Sequence, residues 1–171
     1  MKILSLDVSA AKTGWCVWSK KKGFVCGTIE TKPKFNRSER LNQFRLALAK
    51  VLKKHKPKHI VIEDGFSGIN VKTLKALAEF AGVAKEVCQD TLGIDPYVMS
   101  NHTVKSYFKV KKKEELFAFV VHILGRKDLT FKKDNDIIDA CAQCMCYYDE
   151  VLEHNLFREE KEYGFIYKSE G

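Results

Sequence analysis

Four carboxylates stand where an ionised acid needs a reason. Asp7 ends the apolar run Ile3-Leu4-Ser5-Leu6, and Glu63 ends Ile60-Val61-Ile62. A carboxylate at the end of a buried strand is costly unless it is paired or bound to a cation. Asp136 and Asp139 are three apart in a segment with helical spacing, so they share one helix face. Taken singly, each pair has a bland reading: strand-end acids form turns, and first-turn aspartates cap helices and suit the helix dipole. Taken together, with no His or Cys interleaved, the four make an all-oxygen donor set. Such a set suits Mg²⁺ or Mn²⁺ and disfavours zinc. Two such ions can hold the attacking water and the leaving oxygen of a phosphodiester.

The charge balance points the same way. The chain has 171 residues with 30 Lys plus Arg against 22 Asp plus Glu, a net charge of +8. That surplus implies a polyanionic partner, either nucleic acid or an anionic membrane surface. Lysines held near a negative site would retain a phosphate backbone there. They are spread over several elements rather than along one amphipathic helix, which argues against the membrane. Runs such as Phe117 to Leu124 are too short to span a bilayer. The N-terminus meets Asp7 too early for a signal peptide, so the expected location is a reducing cytoplasm. A 45% hydrophobic content excludes a disordered chain. The six cysteines are then no disulfide framework. Cys141 and Cys144 form a C-x-x-C, but no second pair stands at matching spacing and His154 is the nearby imidazole. Within a helical pattern they read as buried small hydrophobes.

The elements that must position the acids follow from periodicity. Ile3 to Val8, Gly14 to Ser19 and Phe24 to Thr31 read as an antiparallel three-strand meander, turned at Lys20-Lys21-Lys22-Gly23. Ser38 is the expected cap of an amphipathic helix carrying Leu41, Phe44, Leu48, Val51 and Leu52. His59 to Glu63 is a short apolar strand, and the helical crossover before it predicts parallel pairing. A long helix over 70–91 has two apolar stripes, Leu74-Leu77-Ala81-Ala84 and Ala76-Phe80-Val83-Val87. One stripe covers the sheet. The other meets either a partner subunit or another helix of the same chain. A fifth strand over 95–99 follows, then a short helix or turn over 101–108 and a helix over 114–124. A last helix, capped by Asp134 or Asn135, runs to about Leu152. The expectation is an α/β fold with a mixed five-stranded sheet, three antiparallel strands then parallel ones, flanked by helices. Residues 1–152 would be the domain and 153–171 a tail whose aromatics pack back on it.

In this order the sequence resembles the RuvC family of Holliday junction resolvases, within the RNase H-like or retroviral-integrase superfamily. The segments that carry the resemblance are Leu4 to Trp15 with Asp7 and Thr13-Gly14, Ile62-Glu63-Asp64-Gly65-Phe66, and Asp136-Ile137-Ile138-Asp139-Ala140. It covers roughly residues 1–150. Val8 and Ser9 depart from the family's usual Pro-Gly or x-Gly after the first acid, and a divergent phage-type member would fit that departure.

The resemblance implies an RNase H-like nuclease in which Asp7, Glu63, Asp136 and Asp139 are the metal-binding catalytic acids. It implies Mg²⁺, with Mn²⁺ substituting, as two ions per site. Lys105 matches a lysine at the scissile phosphate, and Lys113 or Lys112 matches a second. Phe66 matches an aromatic that stacks on a junction base, and Asn70 an asparagine after that loop. The implied partner is branched DNA, above all the four-way junction, cut by paired nicks from a homodimer joined through the helix at about 70–91. A broader nuclease for forks and flaps, or a non-catalytic DNA-binding module of the same fold, is the alternative. Ribonuclease H proper places its Glu inside the first helix, and a related pre-ribosomal-RNA nuclease family lacks a Glu at the position of Glu63.

Overall fold

The computed structural model describes residues 1–64 and 70–158. Strands β1 (Ile3–Asp7), β2 (Lys12–Ser19), β3 (Gly23–Glu30), β4 (His59–Asp64) and β5 (Tyr97–Ser100) form one sheet in the order β3-β2-β1-β4-β5. The first three are antiparallel neighbours; β4 runs parallel to β1 and β5 parallel to β4. The expected mixed sheet is therefore present, with β1 and β4 adjacent.

Alternation of side chains along the strands divides the core in two. Leu4, Leu6, Val17, Ile60 and Ile62 point to one face, beneath α1 (Arg37–His55) and α2 (Val71–Leu92), where they meet Phe44, Leu48, Phe80 and Val87. Ile3, Cys16, Trp18 and Val61 point to the other. That face is covered by α3 (Asn101–Phe108), α4 (Lys113–Leu124) and α5 (Phe131–Cys146), which continues as a π-helical turn over Tyr147–Val151. Asp7 and Glu63 continue the second set, so both belong to the face covered by α5.

Several boundaries differ from expectation. The cap of α1 is Asn36, not Ser38. The Asn36 Oδ1 accepts from the Glu39 N–H at 2.9 Å and Glu39 accepts from the Asn36 N–H at 3.0 Å, a reciprocal box that sets the start two residues earlier. The fifth strand begins at Tyr97 rather than Asp95. The segment over 101–108 is a true helix because Ser100 accepts from the Thr103 N–H at 3.1 Å. Three helices thus follow β5. The last starts at Phe131, which puts Asp136 and Asp139 in its second and third turns. The dipole acts within the first turn, so it does not account for them. Asp134 does serve the helix start, accepting from the Thr130 N–H at 2.8 Å.

The Phe80, Val83 and Val87 stripe of α2 lies against this chain; on the other stripe Ala81 and Ala84 are buried, while Leu74 and Leu77 are half-buried. Phe80 is fully buried and meets Phe44 edge-on at 5.4 Å. Arg37–Glu79 and Arg45–Glu86 ion pairs run along the α1–α2 seam. The stripe that contains Phe80 is therefore covered by α1. Val71, Lys75, Ala78, Gly82 and Lys85 are among the exposed residues of α2 and follow one another at helical spacing. No helix among the described residues is long and apolar enough to cross a membrane. Phe157 packs on Trp18, Phe24 and Tyr148, as expected for a tail aromatic. Phe66, Tyr163, Phe165 and Tyr167 lie outside the described residues.

Candidate active site

Sheet register gathers the acids. Leu6 pairs with Ile62 across the parallel β1–β4 ladder, so the next step sets Asp7 beside Glu63. On its other side Asp7 pairs with Gly14 of β2. A Cβ at Gly14 would collide with the Asp136 backbone carbonyl. The missing side chain is what lets α5 lie close over β2 and bring Asp136 and Asp139 to the end of β1. The β1–β2 connection is closed locally: the Ser9 hydroxyl donates to the Lys12 carbonyl at 2.7 Å, and the Thr13 hydroxyl donates to the Ser9 carbonyl at 3.1 Å. Ser9 thus holds the turn that follows Asp7.

The grouping is electrostatically strained. Burial holds the Asp7 carboxyl well above the usual carboxylate range. The hydrogen bond and charge of Glu63, and the charge of Asp139, raise it further; Lys113 opposes them. Asp139 and Asp136 are raised too, each chiefly by burial, with Lys113 opposing at Asp139 and Lys12 and Lys113 at Asp136. Lys113 opens α4 and sets its Nζ 3.0 Å from Asp139 Oδ2. Burial favours its neutral form, but Asp139, Asp7 and Glu63 hold its pKa above the ordinary lysine value. Lys12 Nζ is 3.9 Å from Asp136 and donates to the Lys133 carbonyl at 2.6 Å.

Four half-buried carboxylates with Lys113 and Lys12 as the neighbouring ammonium groups are short of positive charge, and the donors are all oxygen. Both facts fit a hard divalent cation. No three carboxyl groups among the described residues bring ligand oxygens within 4.8 Å of one another. Two ions roughly 3.5–4 Å apart, each bound at about 2.1 Å, separate their outer ligands by about 8 Å. The open spacing fits such a pair better than one closed cage.

The other expected residues divide. Lys113, not Lys112, reaches the acids; Lys112 is exposed at the cap of α4. Lys105 is half-buried on α3. Asn70 caps α2, its Oδ1 accepting from the Thr73 N–H at 2.9 Å. Two residues escaped the sequence reading. Asn101 Nδ2 donates to Glu63 Oε1 at 2.5 Å. Lys105 stands one helical turn beyond it, on the same face. The second is Lys12. Helix α3 is anchored from behind by Tyr107, whose buried hydroxyl donates to Asp149 Oδ2 at 2.6 Å in the π-helical turn after α5. Asn101 follows β5 directly, and β5 is the neighbour of β4, which is the signal that could have found it.

Residues 3–147 match the family described as crossover junction endodeoxyribonuclease RuvC. Curated relatives of that description include one from Fusobacterium nucleatum, 27% identical over 158 residues, covering 88% of this chain and 82% of the relative. One from Syntrophomonas wolfei is 28% identical over 154 residues, covering 86% and 88%. Among solved structures, T. thermophilus RuvC in complex with Holliday junction substrate superposes with a TM-score of 0.75 at 19% identity, covering 88% of this chain and 96% of that one. A yeast mitochondrial Holliday junction resolvase gives 0.56 at 13%, covering 92% and 83%.

Proposed function

The chain belongs to the RuvC family of crossover junction endodeoxyribonucleases, and on that premise we propose that it resolves four-way DNA junctions by hydrolysing one phosphodiester in each of two symmetry-related strands. Asp7, Glu63, Asp136 and Asp139 would hold two Mg²⁺ ions, with Mn²⁺ substituting. Bound there, the ions would polarise the phosphodiester and favour ionisation of the attacking water. The chain's own residues do the rest. Lys113 offsets the carboxylate charge facing the DNA, and Asn101 fixes the Glu63 carboxylate. Lys105 meets the extra negative charge that the scissile phosphate gains in the transition state. Phe66, Asn70 and Lys112 contact the junction outside the chemical step. Water attack leaves a 5′-phosphate and a 3′-hydroxyl.

Paired nicks need two sites. A homodimer through the outer face of α2 supplies them: Val71 is 66% exposed, and Ala78 and Gly82 are small enough to let a second helix approach closely. The observation that carries the proposal is the strained Asp7–Glu63–Asp139 group with Lys113 as its nearest compensating charge. It is tested by offering the full chain a junction, a fork, a flap and a duplex, with the nicks mapped on each strand. Symmetric nicks on the junction support it. Equal cutting of forks and flaps would mark a broader nuclease, and binding without cutting a non-catalytic module.

A further inference from the structure

The acid site uses one end of α5. One turn deeper, the same helix meets a second cluster of different chemistry. Cys16 and Cys26 are direct partners across the β2–β3 ladder, on the face that α5 covers. Cys141 and Cys144 are one turn apart on α5. Their separation from Cys16 and Cys26 in sequence hides the fact that the fold makes them a second pair. The Sγ atoms of Cys16, Cys26 and Cys141 all lie within 4.8 Å of one another, and Cys26 and Cys141 are 3.3 Å apart. Cys144, one turn beyond Cys141, is buried in the same core, though its Sγ is not among the three within 4.8 Å of one another. No disulfide joins any of them.

Four thiolates bound tetrahedrally at about 2.3 Å from zinc stand roughly 3.8 Å apart, which lies between the 3.3 Å Cys26–Cys141 contact and the 4.8 Å bound on the three clustered sulfurs; Cys144 would complete the set by turning its side chain toward them. Cys16, Cys141 and Cys144 are buried, whereas Cys26 borders a cavity of about 540 Å³ with Phe24, Arg126, Leu129 and Ile137. The cavity gives an ion a route from solvent. Arg126, at its wall, offsets part of the negative charge that a thiolate set carries. Simple packing of small hydrophobes needs no convergence of sulfur, and Cys88 shows that alternative, lying alone in the opposite core.

We infer that Cys16, Cys26, Cys141 and Cys144 form a thiolate site for a soft divalent cation, zinc above all, which ties α5 to the β2–β3 hairpin. Binding forms metal–sulfur bonds and releases the thiol protons to solvent. The site is separate from the acid cluster in both donor type and metal preference. It bears on that cluster through position, because Cys141 is two residues from Asp139.

The test uses the full chain, reduced, stripped of metal and titrated anaerobically with Co²⁺. Co²⁺ on the carboxylates gives no sulfur band, whereas a thiolate site shows near-ultraviolet charge transfer and intense tetrahedral d–d absorption. One equivalent should produce these bands, and Zn²⁺ should abolish them and raise the melting temperature. Cys26→Ser, at the least buried ligand, should weaken Zn²⁺ binding at least tenfold and remove the thermal gain. Cys88→Ser and Asp7→Asn should keep both. Absence of thiolate bands in the parent, or unchanged bands in Cys26→Ser, overturns the proposal.

Discussion

Replacing Asp7 by asparagine separates chemistry from stability. The amide keeps the shape of the carboxylate but is a poor cation ligand. Junction cleavage should fall by more than the roughly 10–100-fold that follows loss of a residue merely supporting a ligand. Junction binding should hold or tighten, since a negative charge facing DNA is gone. Stability should move the other way. A carboxyl whose pKa is raised by folding holds its proton more tightly in the native state. Above its unfolded value of about 3.9, folding therefore carries a cost that grows until the pH passes the folded pKa and is constant beyond it. Burial is the largest cause at Asp7; the like charges of Glu63 and Asp139 add to it, and Lys113 opposes them. A like-charge pair in contact at an effective permittivity of about 20 repels by about 4 kcal/mol, an upper bound that side-chain relaxation reduces. A gain of about 1–2 kcal/mol, or roughly 2–8 °C in melting temperature, is expected for the variant in chelator at neutral pH. The gain should shrink as the pH falls toward 4. Mg²⁺ should raise the melting temperature of the parent and not that of the variant. A variant that melts below the parent in chelator at neutral pH would refute the charge-strain argument, and cleavage within threefold of the parent would refute the assignment of Asp7 as a ligand.

Three further outcomes follow from the same geometry. Lys113→Met removes the charge that opposes the raised pKa of Asp7 and Asp139, so the acid limb of the rate–pH profile should move to higher pH; a limb that stays put or moves down counts against the pairing. Asn101→Ala frees the Glu63 carboxylate and should cost about 10–100-fold in cleavage at limiting Mg²⁺, less at saturation, as measured by rates over a metal titration. Gly82→Glu should convert dimers to monomers in sedimentation without lowering the melting temperature, because a Cβ there meets nothing in its own chain, whereas Phe80→Asp should unfold the α1–α2 core at a cost of 3 kcal/mol or more.

The placement of Asp7 and Glu63 was legible because strand alternation is strict. Each acid ends an apolar run, and a helical crossover between the runs forces parallel neighbours. Asp136 and Asp139 were legible as a helix-face pair, yet their helix begins three residues before Asp134, so the dipole explanation fell away only with the structure. Asn101 was missed because it carries no charge pattern of its own; what places it is the β4–β5 pairing that brings it to Glu63, 38 residues away. The convergence of Cys16 with Cys26 and of both with Cys141 was hidden for the same reason: ladder register and helix packing set it, and neither is visible in spacing. Whether the Phe80 stripe met a partner or the same chain was open in the sequence, because amphipathic stripes do not say to which chain the covering helix belongs. The small exposed face at Ala78 and Gly82 carries no hydrophobic signal at all.

The central claim is that the gathered carboxylates cut a junction with a divalent metal. The most direct measurement incubates the full chain with a synthetic four-way junction in chelator and then in Mg²⁺, beside Asp139→Asn. The account predicts intact, bound junction in chelator, paired nicks with ligatable ends in Mg²⁺, and no nicks from the variant. Cutting in chelator, or cutting by Asp139→Asn at the parent's rate, would contradict it.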